Sequence, residues 1–147
     1  MQKSLIMIVD DDAVINDTLA ALVKKLGHQS LQVFTATEAS NILFNQQIKP
    51  ELLICDVNLP GKSGFDLVKE VIIKNIQVDI CMLSGQDERE NRLAALQLGA
   101  IDFFSKPIDP EKFSALIKKI LSVSAAVKPA EGPTSFIPSI PSSKKGA

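Results

Sequence analysis

The chain has 147 residues, an apolar fraction of 46% and a formal net charge of -1. That is room for one ordinary domain with a real core, and the charge balance gives no overall bias toward nucleic acid or a membrane surface. The longest apolar run near the N-terminus, Leu5 to Val9, is too short for a signal-peptide core or a membrane span, and no later run is long enough.

Short apolar runs then alternate with stretches of helical period. LIMIV (5–9) predicts a strand. A helix over 14–26 follows, with Val14, Ile15, Leu19, Leu22, Val23 and Leu26 on one face, Asp12 as its cap and Gly27 as its stop. SLQVF (30–34) precedes a helix over 37–46, and LLIC (52–55) precedes a turn-rich stretch and a helix over 65–75. DICML (79–83) precedes a helix over 87–98 that Gly99 closes. DFFS (102–105) precedes a last helix over 109–122, with Pro110 in its first turn. Cys55 and Cys81 lie inside apolar runs, where a thiol behaves as a small hydrophobe; no disulfide framework is expected, which implies a reducing cytoplasm.

Five strand-helix repeats with continuous apolar strands imply an α/β fold with a parallel sheet covered on both faces. Right-handed crossovers and short loops favour a doubly wound five-stranded sheet of order 2-1-3-4-5 over residues 1–122. Residues 123–147 hold four of the eight prolines and many serines. They carry a net charge of +2 against -3 for the rest, and their composition predicts a disordered tail or linker.

In such a sheet, ligands bind outside the carboxyl ends of the strands, beside the point where strand order reverses. Strand one ends at Asp10 and Asp11, strand three at Asp56, strand four at Ser84, and strand five runs into Lys106. Three converging carboxylates raise one another's pKa or recruit a cation, and Mg²⁺ suits a site with a few carboxylates and retained waters. With Lys106 and the Ser84 hydroxyl opposite, the set forms a phosphoryl-transfer site in which a carboxylate oxygen attacks in line.

IVDDD (8–12), ICDVNLPGKSGFDL (54–67), MLSG (82–85) and GAIDFFSKP (99–107), in that order at successive strand ends, resemble the receiver domains of two-component response regulators. Those have the flavodoxin-like form of this fold, with the same strand order 2-1-3-4-5. The resemblance covers residues 4–122. It implies that Asp56 is the phosphoacceptor, with Asp10 and Asp11 the acidic pair and Asp11 the more direct Mg²⁺ ligand. The Asn58 carbonyl would complete the protein ligands. Ser84 would fill the hydroxyl switch position and Phe103 the aromatic one, while Lys106 would be the family's lysine, followed by Pro107 in a cis peptide. Two departures are Gly85 where alanine is commoner and Phe103 where tyrosine is more usual. The ring would turn from solvent to interior on activation, guided by packing alone.

The implied function is a phosphorylation switch rather than an enzyme. Phosphoryl would come from a histidine kinase or a histidine phosphotransfer protein. The output surface would lie around the fourth helix, fifth strand and fifth helix, read by an output domain, a partner protein or a second copy in a phosphorylation-dependent homodimer. No DNA-binding helical motif is present, so direct nucleic-acid contact is not expected.

Two other readings are open. In an aspartate-nucleophile phosphatase of the haloacid dehalogenase type, Asp10 would be the nucleophile and Asp12 the general acid. That leaves Asp56 unexplained, and no later acidic pair or cap domain is present. A degenerate receiver would serve only as a binding module, yet every expected polar group is there. Asp12 is otherwise a helix cap. His28 reads as a surface or boundary residue, SGQDERENR as a solvated helix start, and Pro138 with Pro141 as a PxxP spacing.

Overall fold

The structure is a computed structural model, and it describes residues 3–45, 47–85 and 88–131, the side chains of 88 and of 123–131 excepted. By internal contact the chain divides into two units, one through Pro110 and one from Glu111 onward.

In the first unit β1 (Leu5–Val9), β2 (Gln29–Val33), β3 (Leu52–Asp56), β4 (Asp79–Ser84) and β5 (Asp102–Ser105) alternate with four helices. These are α1 (Ala13–Lys25), α2 (Ala36–Asn45), α3 (Gly64–Ile73) and α4 (Glu88–Leu98). The strands are all parallel in the order β2-β1-β3-β4-β5, the order expected. β1 and β3 are apolar almost throughout because both sheet faces are covered. Met7, Val9, Leu53, Cys55, Met82 and Phe103 join one core with residues of α2, α3 and α4. The alternate residues Ile6, Ile8, Leu52, Ile54, Cys81 and Leu83 point to the opposite face and are equally buried, as are Leu19 and Val23 of α1.

Local chemistry starts and stops these helices. The Asp12 side chain accepts from Val14 N and Ile15 N at 2.9 and 3.2 Å, as its capping role predicts. Gly27 then leaves α1 at φ +93°, a conformation open to glycine without strain. Ser63 and Asp66 form a reciprocal capping box at the start of α3. Cys55 and Cys81 are buried free thiols, and burial pushes both upward from the ordinary cysteine pKa.

Three expectations need correction. The buried face of α1 is Asn16, Leu19 and Val23, while Val14, the second helical residue, lies off that face and is 74% exposed. His28 is buried rather than superficial: its Nδ1 accepts from Ser4 N at 3.0 Å and ties the start of β1 to the β2 approach. In the second unit, α5 (Pro110–Glu131) begins near the expected position but continues past residue 122. The helix-forming Ala125 and Ala126 favour that continuation. Among its described side chains Phe113, Ile117 and Ile120 are buried, at helical spacing. The expected tail beyond 131 lies outside the described residues.

Candidate functional site

Parallel register brings the strand ends level: Val9 lies opposite Cys55, Asp56 opposite Leu83, and Ser84 opposite Ser105. Asp10, Asp56, Ser84 and Lys106 therefore meet at the carboxyl edge without any long loop to place them. Asp10 is fully buried, Asp56 is 3% exposed, and Asp11 stands in solvent beside them.

Lys106 closes the pocket. Its Nζ lies 3.0 Å from Asp10 Oδ2 and 3.2 Å from Asp56 Oδ2. The other oxygens are held by backbone: Asp12 N donates to Asp10 Oδ1 at 2.9 Å, and Asn58 N to Asp56 Oδ1 at 3.3 Å. The Lys106 N–H donates to the Ser84 carbonyl at 2.9 Å, and the Lys106–Pro107 peptide is cis. Burial raises the Asp56 pKa above the usual carboxylate value, the Asp10 charge adds to the rise, and Lys106 opposes both. For Lys106 burial works against the charge, but its two carboxylate partners outweigh it and the ammonium shifts upward.

Carboxylate oxygens of Asp10, Asp11 and Asp56 all lie within 4.8 Å of one another. Asp10 Oδ2 is buried and accepts no well-aligned hydrogen bond despite the nearby ammonium. Oxygen donors, a surplus of negative charge and an under-satisfied buried oxygen suit a small hard cation. Asn58 is exposed two residues beyond Asp56, close in sequence to this cluster.

The pocket floor depends on Gly64. A Cβ there would stand 2.1 Å from the Asp56 carbonyl oxygen, so only glycine lets α3 start this close to β3. Gly85 is different: its Cβ position is open, with Lys106 carbons at 3.8 Å, and an alanine would fit.

Ser84 is fully buried, and its Oγ accepts from Asn91 Nδ2 at 2.9 Å. Phe103 is only 2% exposed, with the Arg92 guanidinium 5.2 Å from its ring centre. The expected solvent-facing ring is thus not the arrangement here; α4 packs over β5 and covers it. Nor is SGQDERENR merely a solvated helix start, since Asn91 and Arg92 both reach the sheet edge, while its Gln86 and Asp87 lie outside the described residues.

Pattern reading also missed Asn16, whose Nδ2 donates to the carbonyls of Asp10 and Val33 at 3.0 and 2.9 Å. A polar residue on the apolar stripe of α1 was the available signal. Asp12 caps α1 through its Oδ1, the role expected of it apart from a phosphatase reading.

The description "response regulator receiver domain" belongs to the family model that matches residues 6–118. The phosphate regulon transcriptional regulatory protein PhoB of Pseudomonas aeruginosa is 32% identical over 123 residues, 82% of this chain and 53% of that protein. The aerobic respiration control protein ArcA of Escherichia coli is 31% identical over 122 residues, 83% of this chain and 50% of that protein. This chain thus spans about half the length of the curated relatives it matches. A solved CheY-like receiver domain protein of Methanospirillum hungatei superimposes with a TM-score of 0.77 at 25% identity, covering 86% of this chain and 99% of that one.

Proposed function

The chain belongs to the response regulator receiver domain family, and from that premise we propose that it is a phosphorylation switch whose acceptor is Asp56. The observation that carries this reading is the Lys106 ammonium set against both Asp10 and Asp56 in a pocket of three carboxylates. Such a pocket offers a nucleophilic oxygen, a cation beside it and oxygen donors for a metal.

Asp10, Asp11 and Asp56, with the Asn58 carbonyl, would hold Mg²⁺. When bound, the ion supplies the positive charge that lets an anionic phosphoryl group approach anionic side chains. An Asp56 carboxylate oxygen forms the new O–P bond as the P–N bond to a donor histidine breaks, and the bonding pair returns to the imidazole. Lys106 then pairs with one phosphoryl oxygen, and the Ser84 hydroxyl donates to another. The donor would be a histidine kinase or a histidine phosphotransfer protein in the cytoplasm. Among the described residues no helix is long and apolar enough to cross a membrane.

The chain is assigned no metabolic substrate: the phosphoryl group is a signal held on the protein. Phe103 belongs to the switch through packing, since it has no hydroxyl to bond. The output is a change around α4 and β5, passed to an output domain, a partner protein or a second copy. The receiver is assigned to residues 1–122 and the remainder to a linker or tail.

Incubation with a small acyl phosphate and Mg²⁺ tests the assignment by intact mass. One added phosphoryl group is expected, absent without Mg²⁺ and absent in Asp56→Asn. Equal modification of the variant would move the acceptor elsewhere.

A further inference from the structure

We propose that Asn91 is the positioning residue that hands the movement of Ser84 to α4. The inference rests on the phosphoacceptor reading above and adds the route by which the signal leaves the site.

Three contacts carry it. Asn91 Nδ2 donates to Ser84 Oγ at 2.9 Å. The next residue, Arg92, lies over the Phe103 ring at 5.2 Å and 3.9 Å from Asp102 Oδ1. Phe103 is already buried, so an inward turn of that ring has no distance left to travel. One turn of α4 therefore touches both switch positions, and the hydroxyl is gripped by a side chain of the helix itself.

The direction of the Asn91 bond matters. An oxygen that accepts from an amide keeps its own O–H as a donor. Ser84 can donate to a phosphoryl oxygen while Asn91 still donates to Ser84, and the two bonds polarise each other in the same sense. The serine can then move toward the phosphoryl group without releasing the helix, and α4 follows. Ala95 of α4 is buried, whereas Leu93 and Leu96 are exposed, so displacement at Asn91 re-presents an apolar outer face. That face is what a partner would read.

The test uses the full chain, Mg²⁺ and beryllofluoride as the phosphoryl mimic, followed by backbone amide shifts. In the wild type the mimic should shift residues 89–98. Asn91→Leu should reduce those shifts to less than half, and Asn91→Gln, which keeps the donor, should restore most of them. Asn91→Asp offers only acceptors when ionised and would accept the hydrogen bond that the Ser84 O–H donates, so the mimic should bind it at least ~10-fold more weakly than Asn91→Leu, about one hydrogen bond's worth. Wild-type shifts in Asn91→Leu would overturn the proposal, as would equal mimic affinity in Asn91→Asp and Asn91→Leu. A wild type that binds the mimic without moving 89–98 would overturn this inference alone. Failure of the wild type to bind the mimic at all would overturn the phosphoacceptor reading, and this inference with it.

Discussion

The Lys106 ammonium stands 3.2 Å from Asp56 Oδ2 and holds a buried carboxylate whose charge burial and Asp10 disfavour. Burial and the Asp10 charge together outweigh that attraction, so changes in charge there have readable consequences.

Replacing Lys106 by methionine keeps the apolar stem and removes the charge. Two buried carboxylates are then left facing each other, and loss of one partner from a buried pair costs about 3 kcal/mol. Urea unfolding should show this loss at neutral pH, with partial recovery on adding Mg²⁺. A variant as stable as the wild type without metal would mean that Lys106 does not offset buried charge in this pocket.

Asp56→Asn should stabilise the metal-free protein. Burial first and Asp10 second raise the Asp56 pKa, so the folded state binds its proton more tightly than the unfolded state does. The wild-type contribution is complete below the ordinary aspartate value of about 3.9 and is lost as pH rises through the higher folded value. The variant's advantage should therefore grow with pH across that window and level off toward neutrality. Paired urea titrations across the window would check the slope, and saturating Mg²⁺ should narrow the gap.

Asp11 is exposed, and its removal should leave the fold intact. Asp11→Ala should nevertheless weaken Mg²⁺ binding by more than about tenfold, the loss that outer-shell changes alone can produce. Isothermal titration gives the affinity, and phosphorylation of Asp56 should slow in parallel. Unchanged affinity would move the ligand role to Asp10.

Gly64→Ala sets helix propensity against a clash. Alanine gains about 1 kcal/mol over glycine inside a helix. A Cβ placed 2.1 Å from the Asp56 carbonyl oxygen forces backbone to move, at a typical overpacking cost of about 1–3 kcal/mol or more. Net destabilisation and slower phosphorylation are expected. A thermal melt at or above the wild-type midpoint would show that the α3 start can shift freely.

Asn16→Leu preserves size but abandons the carbonyls of Asp10 and Val33. The Val33 carbonyl keeps the Asp10 N–H at 3.1 Å, so the cost falls on the Asp10 carbonyl and should be about 1–3 kcal/mol, with the site's backbone loosened at the end of β1. Faster hydrogen exchange at Asp10 and Asp12 would accompany the loss; unchanged exchange would assign Asn16 to packing alone.

The strand order, the Asp12 cap and the gathering of Asp10, Asp56, Ser84 and Lys106 at one edge were legible in the sequence by itself. Each depends on something local: an apolar run long enough for a strand, a polar residue at its end, and crossovers too short to permit another order. The receiver motifs then supplied the family, because they occur at those same strand ends. Tertiary structure decided the inward Phe103 ring, the Asn91 bond to Ser84, the buried His28 and the clasp of Asn16 on β1 and β2. These pair residues from different elements, and helical periodicity does not tell whether a polar side chain meets water or another strand's carbonyl. Asn16 and Val14 show the difference within one helix. Both sit near the start of α1, yet the polar residue is buried and the apolar one exposed, since residues two apart lie on opposite sides of a helix and the Asn16 side faces the carbonyls of Asp10 and Val33.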